Sequence, residues 1–351
     1  MLTGDKGKMI DKDIKSMSPE ELRGEMEEMG EKKFRAGQIY DWMHVKLARD
    51  FSEMTNLSEG LRRKLKERYT YTALETVQVQ ESRIDGTKKF LFRLEDGNLV
   101  ESVWMQYKHG NSVCISSQVG CRMGCRFCAS TLDGLERNLT PSEMLDQIYV
   151  ITRQTGQRVS NVVVMGTGEP LDNYDNLLRF IRMLTDENGL HISQRNITVS
   201  TCGIVPGIYR LAEEKLQITL ALSLHASTDE KRQELMPIAK RYSISELMEA
   251  CAFYFAKTGR RVSFEYSLVG GVNDTQEDAQ RLAGLAGPLG CHINLIPVNP
   301  IKERSFVQSE ARQIQAFKNK LEKNKINVTI RREMGRDIDG ACGQLRRRHM
   351  T

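Results

Sequence analysis

From Ser112 onward, short runs rich in β-branched residues alternate with longer stretches that repeat their apolar residues at helical spacing. Strands are expected at 112–116, 161–165, 196–201, 217–224, 261–268 and 292–297, each followed by helical sequence. This succession imposes parallel strands with right-handed crossovers, because a twisted strand feeding a right-handed helix packs back onto its sheet only that way. The fold class is therefore α/β, an open or partial (β/α)6 barrel. A closed eight-stranded barrel would need more strands than the chain supplies. A final strand at 327–331 leads into the C-terminal tail. The helix after the first strand opens at Thr140-Pro141-Ser142-Glu143, a capping box, and carries Met144, Ile148 and Ile151 on one face.

Two smaller units precede the barrel. Ser18-Pro19-Glu20-Glu21 starts a helix with a capping serine, a proline where no N–H is needed and a glutamate that reaches back. Leu57, Leu61, Leu65 and Tyr69 then recur every four residues, with the basic run from Arg62 to Arg68 on the other side. From Leu74 the period changes to two, and Asp85-Gly86 and Asp96-Gly97 are hairpin turns, which makes a short antiparallel meander. The expected division is 1–72 (helical accessory domain), 73–111 (meander), 112–334 (barrel) and 335–351 (tail). The first 13 residues hold no apolar run, so neither an export signal nor a membrane span is expected, and the protein should stay in the cytoplasm.

Cysteine supplies the sharpest local motif. Cys121-Arg122-Met123-Gly124-Cys125-Arg126-Phe127-Cys128 sets three thiols at C-x3-C-x2-C spacing, one ligand short of a closed tetrahedral site. Two readings fit: zinc with a remote fourth ligand, or an iron-sulfur cluster that keeps one iron open for a small molecule. Eight cysteines spread over 351 residues without an export signal argue for metal or thiol chemistry over a disulfide framework. Cys202, Cys251 and Cys291 read as small buried hydrophobes.

Other polar residues gather where parallel strands end, the place where such folds hold ligands. Gly166-Thr167-Gly168-Glu169-Pro170 follows the second strand; its glycines allow close backbone approach and its carboxylate could receive an ammonium group. Ser200 ends the third strand, Ser223-Leu224-His225 the fourth, and Asn299 follows the sixth. Glu101 shares a strand face with Leu99, Val103 and Met105. Buried there, it would have a raised pKa and could act as a base; on an edge strand it would instead face solvent. Cys342 lies in a glycine-rich polar stretch near Arg336 and Arg346 to Arg348, whose charge would lower its pKa and whose mobility would give it reach. Residues 301–351 carry 13 Lys and Arg against 6 Asp and Glu, leaving the first 300 at −2. This tail and the Arg62–Arg68 run are either the footprint of a polyanion or solvated faces.

The cysteine motif, with Phe127 before its last thiol, resembles that of radical S-adenosylmethionine (SAM) enzymes. Cys114-Ile115-Ser116-Ser117-Gln118-Val119-Gly120-Cys121, Arg137-Asn138-Leu139-Thr140 and the segment around Cys342 resemble more narrowly the RlmN/Cfr family of ribosomal-RNA adenine methyltransferases. The likeness runs from about Ser18 to His349. It implies one 4Fe-4S cluster on Cys121, Cys125 and Cys128, and SAM held by Gly168, Glu169, Ser200, Ser223, Leu224, His225 and Asn299. Two SAM molecules would serve each turnover. One methylates Cys342; the other is cleaved to a deoxyadenosyl radical that takes hydrogen from that methyl group, so that it can add to the electron-poor base. Glu101 would then remove the ring proton, and Cys114 would release the product through a transient disulfide. The RlmN branch implies 2-methyladenine in 23S rRNA and tRNA, with a low-potential donor such as a flavodoxin or ferredoxin and a monomeric enzyme. The Cfr branch, acting at carbon 8 and conferring antibiotic resistance, shares these motifs. A non-catalytic zinc RNA-binding module is the alternative from another class.

Overall fold

The computed structural model describes residues 12–108, 110–299, 306–338 and 343–350. The chain opens with α1 (Pro19–Glu28), α2 (Phe34–His44) and α3 (Glu59–Arg68). Helix α1 starts as its residues require: the Ser18 hydroxyl accepts the Glu21 N–H at 3.2 Å and the Glu21 carboxylate accepts the Ser18 N–H at 2.7 Å. Ile14, Leu22, Met26, Ile39, Met43, Leu61 and Leu65 form a core belonging to this unit alone.

A buried ion pair fastens that unit to the rest. Lys15 Nζ lies 2.5 Å from Asp146 Oδ1, with neither side chain exposed. The lysine also donates to the Thr72 carbonyl at 2.7 Å, and Asp146 accepts the Leu74 N–H at 2.7 Å. Charges so deeply buried persist only when paired and hydrogen-bonded in this way. Beside them, the Tyr149 hydroxyl meets His44 Nδ1 at 2.7 Å.

The meander follows as β1 (Glu75–Glu81), β2 (Lys88–Arg93) and β3 (Leu99–Tyr107). Next come β4 (Gly110–Cys114), β5 (Gln118–Gly120), β6 (Leu135–Asn138), α4 (Pro141–Thr155), β7 (Val159–Val164), α5 (Tyr174–Thr185), β8 (Ile197–Thr201), α6 (Val205–Glu213) and β9 (Thr219–Ser223). The remainder is α7 (Asp229–Leu235), α8 (Ile244–Thr258), β10 (Ser263–Leu268), α9 (Gln276–Ala286), β11 (His292–Pro297), α10 (Ala311–Lys323), β12 (Asn327–Ile330) and α11 (Gln344–Met350).

Among the described residues the main sheet has ten strands, in the order β1-β2-β3-β4-β7-β8-β9-β10-β11-β12. Pairing is antiparallel up to β4 and parallel from β4 to β12. The barrel is thus partial, with β1 and β12 as its two edges, and the meander continues the barrel sheet through the β3–β4 pair. Val113, Val162, Val199, Leu220, Phe264 and Ile293 on the strands pack with Ile148, Phe180 and Leu247 on the helices in one large core. Each such side chain contributes about 1.5–3 kcal/mol on burial. The ribbon of β5 and β6 has no counterpart among the expected strands, because three and four residues carry too little periodicity to announce themselves. No helix among the described residues is long and apolar enough to cross a membrane.

Candidate active site

At the carboxyl ends of the parallel strands the chain encloses a cavity of about 510 Å³. Its wall includes Cys114, Cys121, Cys125, Cys128 and Glu101, and also Gly168, Glu169, Ser200, Ser223, His225 and Asn299. Residues placed there separately by sequence therefore share one space. Leu224 does not: its side chain belongs to the main core, its N–H donates to the Glu265 carbonyl at 3.0 Å, and its carbonyl accepts from Arg232 at 3.1 Å.

The β5–β6 ribbon exists to hold the three-cysteine loop. Cys121 N–H donates to the Gly134 carbonyl at 2.8 Å, and the Thr131 hydroxyl, 3.0 Å from the carbonyls of both Cys125 and Cys128, closes the turn. Gly120 has φ of 75°, and a Cβ there would run into the Gly134 carbonyl, so the loop needs a glycine at its entrance. Burial, with the Cys128 charge beside it, pushes the Cys121 thiol up to about 12. Cys125 and Cys128 are also pushed up by burial. Thiols that are costly to ionise separately, and that repel one another as thiolates, fit a cationic core that binds all three. Among the described residues no three His, Cys, Asp or Glu side chains stand as ligands of a single ion.

Phe127 meets the His225 ring edge to face, with centroids 4.8 Å apart. His225 has φ of 56° and its Nδ1 accepts the Ser267 N–H at 2.9 Å. Burial, with the Arg232 charge, pushes the imidazole down to about 3, so the ring is neutral with its proton on Nε2. A cavity-lining N–H donor results. The Ser200 and Ser223 hydroxyls lie 3.3 Å apart on adjacent strands.

The glycines of the 166–170 turn also allow a close approach within the chain. A Cβ on Gly166 would lie 2.6 Å from the Ile115 carbonyl oxygen and one on Gly168 2.7 Å from Ser117 Oγ, so they admit the β4–β5 segment. The buried Glu169 carboxylate accepts the N–H groups of Leu171 at 3.1 Å and Cys202 at 2.7 Å, and burial pushes its pKa up. Cys251 and Cys291 lie in the main core, whereas Cys202 packs on Cys125 and lines the cavity.

Glu101 is buried, yet not among apolar groups only. Lys89 Nζ lies 2.9 Å from Oε1, the Gly343 N–H also donates to Oε1, and the Arg346 N–H donates to Oε2 at 3.0 Å. Leu91 stands opposite Glu101, which leaves Lys89 diagonal to it on the same face. Sequence reasoning misses Lys89, although a lysine on the apolar face of a strand signals a buried partner. Cys114 ends β4; burial pushes its thiol up and Arg331 opposes the shift.

Cys342 lies outside the described residues. The described residues of the tail on either side of it are docked. Asp337 accepts the Ser82 hydroxyl at 2.5 Å and the Arg83 N–H at 2.8 Å, Gly335 N–H bonds to Asp85 at 3.0 Å, and Leu345 is buried. Arg346 is buried and Arg347 pairs with Asp133 at 2.8 Å, so this part of the basic tail turns toward the protein. The α3 run is also partly neutralised: Lys64 pairs with Glu31 at 2.9 Å and Arg68 with Glu28 at 2.6 Å, while Arg63 and Lys66 are exposed. Charge runs read from sequence omit the acidic helix packed alongside.

Residues 12–70 match the family described as Ribosomal RNA large subunit methyltransferase N-terminal domain, and residues 115–283 match the Radical SAM superfamily. The chain is 68% identical over 338 residues to a probable dual-specificity RNA methyltransferase RlmN of Lachnospira eligens, covering 96% of this chain and 97% of that one. It is 63% identical to the protein of the same description in Lachnoclostridium phytofermentans, covering 95% and 94%. A radical SAM methyltransferase from Sphaerobacter thermophilus, known from its crystal structure, is similar with a TM-score of 0.91 at 42% identity, covering 95% of this chain and 98% of that one.

Proposed function

The chain belongs to the RlmN family of radical SAM RNA methyltransferases, and from that premise we propose that it forms 2-methyladenine in 23S rRNA and in tRNA. It is an enzyme that acts on RNA with one 4Fe-4S cluster and SAM. Cys121, Cys125 and Cys128 hold the cluster. When bound, it supplies the electron that cleaves SAM, chemistry no side chain offers.

The chain's own residues supply placement, proton transfer and thiol chemistry. Gly168, Glu169, Ser200, Ser223, His225 and Asn299 hold SAM, with His225 offering its Nε2–H and Leu224 fixing the turn between Ser223 and His225. Cys342 accepts the methyl group and carries it to the adenine. Glu101 takes the ring proton: among the described residues three donors occupy its carboxylate, two on Oε1 and one on Oε2. Cys114, as its thiolate, then attacks the sulfur of Cys342, and the S–S bond forms as the bond from sulfur to the transferred carbon breaks. That carbon keeps the electron pair and takes a proton to become the methyl group, and the disulfide left behind is reduced by an external thiol before the next turnover. The observation that carries this reading is convergence: the three-thiol loop, Cys114 and Glu101 line one cavity, and so do Ile338 and Gln344, which flank the segment bearing Cys342.

The electron comes from a flavodoxin or ferredoxin, and the enzyme works as a cytoplasmic monomer. The test is anaerobic incubation of the iron- and sulfide-reconstituted enzyme with SAM, reductant and either 23S rRNA or tRNA, followed by mass spectrometry of the nucleosides. Methyl at carbon 2 in both RNAs is the expected result. Methyl at carbon 8, or none in tRNA, overturns the substrate assignment, and stoichiometric zinc without sulfide overturns the cluster.

A further inference from the structure

Helix α7 buries a cation that sequence hides, because the run from Asp229 to Leu235 reads as a solvated charged helix. Arg232 is fully buried, and among the described residues its hydrogen-bond partners are main-chain carbonyls. Nη2 donates to Cys202 at 2.6 Å and Ser223 at 3.3 Å, and Nε donates to Leu224 at 3.1 Å, all at the carboxyl ends of β8 and β9. Among the described residues Nη1, also buried, finds no hydrogen-bond partner. A guanidinium does not shed its proton to escape such a site, so a buried arginine calls for an anion.

Its surroundings identify that anion. The Leu235 carbonyl, at the end of α7, accepts the Arg126 N–H from the three-cysteine loop at 2.9 Å, and Leu235 and Met236 pack on Cys125 and Cys202. The guanidinium lies within electrostatic range of the sulfurs of Cys202 and Cys125 and, more weakly, of the Asp229 carboxylate, which accepts the Ile244 N–H at 2.8 Å and, among the described residues, no hydrogen bond from Arg232. Three thiolates on a 4Fe-4S core carry a net negative charge, which grows by one on reduction.

We propose that Arg232 is the counter-charge built into this fold for the bound cluster, stabilising its reduced state and raising the potential at which it accepts an electron. This rests on the cluster assigned to Cys121, Cys125 and Cys128. The step is transfer of one electron from a reduced flavodoxin- or ferredoxin-class carrier to the cluster; no bond forms or breaks, and Arg232 keeps its proton. Arg232 is a positioning residue in this sense, acting through the cluster's charge.

The test uses full-length wild type, Arg232→Lys, Arg232→Met and Arg232→Gln, each reconstituted anaerobically and titrated with dithionite and mediators under electron paramagnetic resonance, without SAM or RNA. Arg232→Met should take up wild-type iron and sulfide but be at least tenfold harder to reduce, a negative shift of 59 mV or more for a one-electron couple. Arg232→Lys should stay near wild type. If Arg232→Met fails to fold, Arg232→Gln, which is neutral but retains hydrogen-bond donors, takes its place. If neither neutral variant loads iron while Arg232→Lys does, the need for charge is upheld at the level of loading; if Arg232→Lys also fails, the residue is structural and the proposal falls. An unchanged potential overturns it; weakened binding in a separate SAM titration of the same loaded variant would then assign the guanidinium to the SAM carboxylate. A wild-type protein without iron and sulfide removes the cluster reading itself, a result distinct from any of these.

Discussion

Replacing Glu101 by Gln would leave Lys89 buried beside a neutral group. Neither side chain reaches solvent, at 0% exposure for Lys89 and 2% for Glu101, so water rescues neither. Removing one partner of such a pair costs about 3–5 kcal/mol, where an exposed pair would cost about 0–1 kcal/mol, and burial decides which figure applies. The same carboxylate caps the start of α11 by accepting the Gly343 and Arg346 N–H groups. A charged acceptor is worth about 1.5–3 kcal/mol per bond and a neutral one about 0.5–1.5 kcal/mol, so docking of the tail should weaken by about 1–3 kcal/mol. That is about fivefold to more than a hundredfold in its opening equilibrium. Urea unfolding reads the first effect, and hydrogen exchange of amides 343–350 reads the second. Lys89→Met with Glu101→Leu should recover most of the global stability, because an apolar pair is often as good as a buried ionic one, yet leave the tail amides exchanging fast. If Glu101→Gln kept its stability within about 1 kcal/mol and left those amides protected, the carboxylate would not be what holds this corner together.

The two thiols outside the loop should separate cleanly on a denaturing gel with RNA: Cys342→Ala forms no covalent link, and Cys114→Ala accumulates one, so the opposite pattern would exchange their roles. Replacing Arg63 and Lys66 by Ala should lower the slope of log affinity for RNA against log salt by roughly one unit per lost phosphate contact, while Lys64→Ala, already paired with Glu31, changes it less. An unchanged slope in the first variant would make α3 a solvated face. Burial holds the His44 imidazole down at about 3, whereas the unfolded chain binds that proton near the ordinary value of 6.5. Stability should therefore rise with pH across this window, by about 1.4 kcal/mol per pH unit from this residue, and fall on acidification below pH 6.5. His44→Phe should flatten the dependence of urea-unfolding free energy on pH between 4 and 6, and equal slopes would show that His44 protonates without strain in the native state.

Signals contained within a few residues were decisive in this chain on their own. The capping boxes at Ser18 and Thr140, the turns at Gly86 and Gly97, the strand-helix alternation and the spacing of Cys121, Cys125 and Cys128 each follow from local sterics, hydrogen bonding and periodicity. Together they suffice for a partial barrel with polar residues along one rim and a three-thiol loop at its mouth. What residues far apart do to one another was legible only in the packed molecule. Glu101 meets Gly343 across 242 positions, and Lys15 meets Asp146 across 131. Nothing in the sequence around one partner points to the other. The same holds for Arg232, whose charged helix looks solvated until Leu235 and Met236 close over Cys125 and Cys202. Sequence period tells which face of an element is apolar; it does not tell which charged side chain the neighbouring elements will enclose. That is decided by the docking of whole layers, and a buried charge then takes whatever partner the layers bring to it.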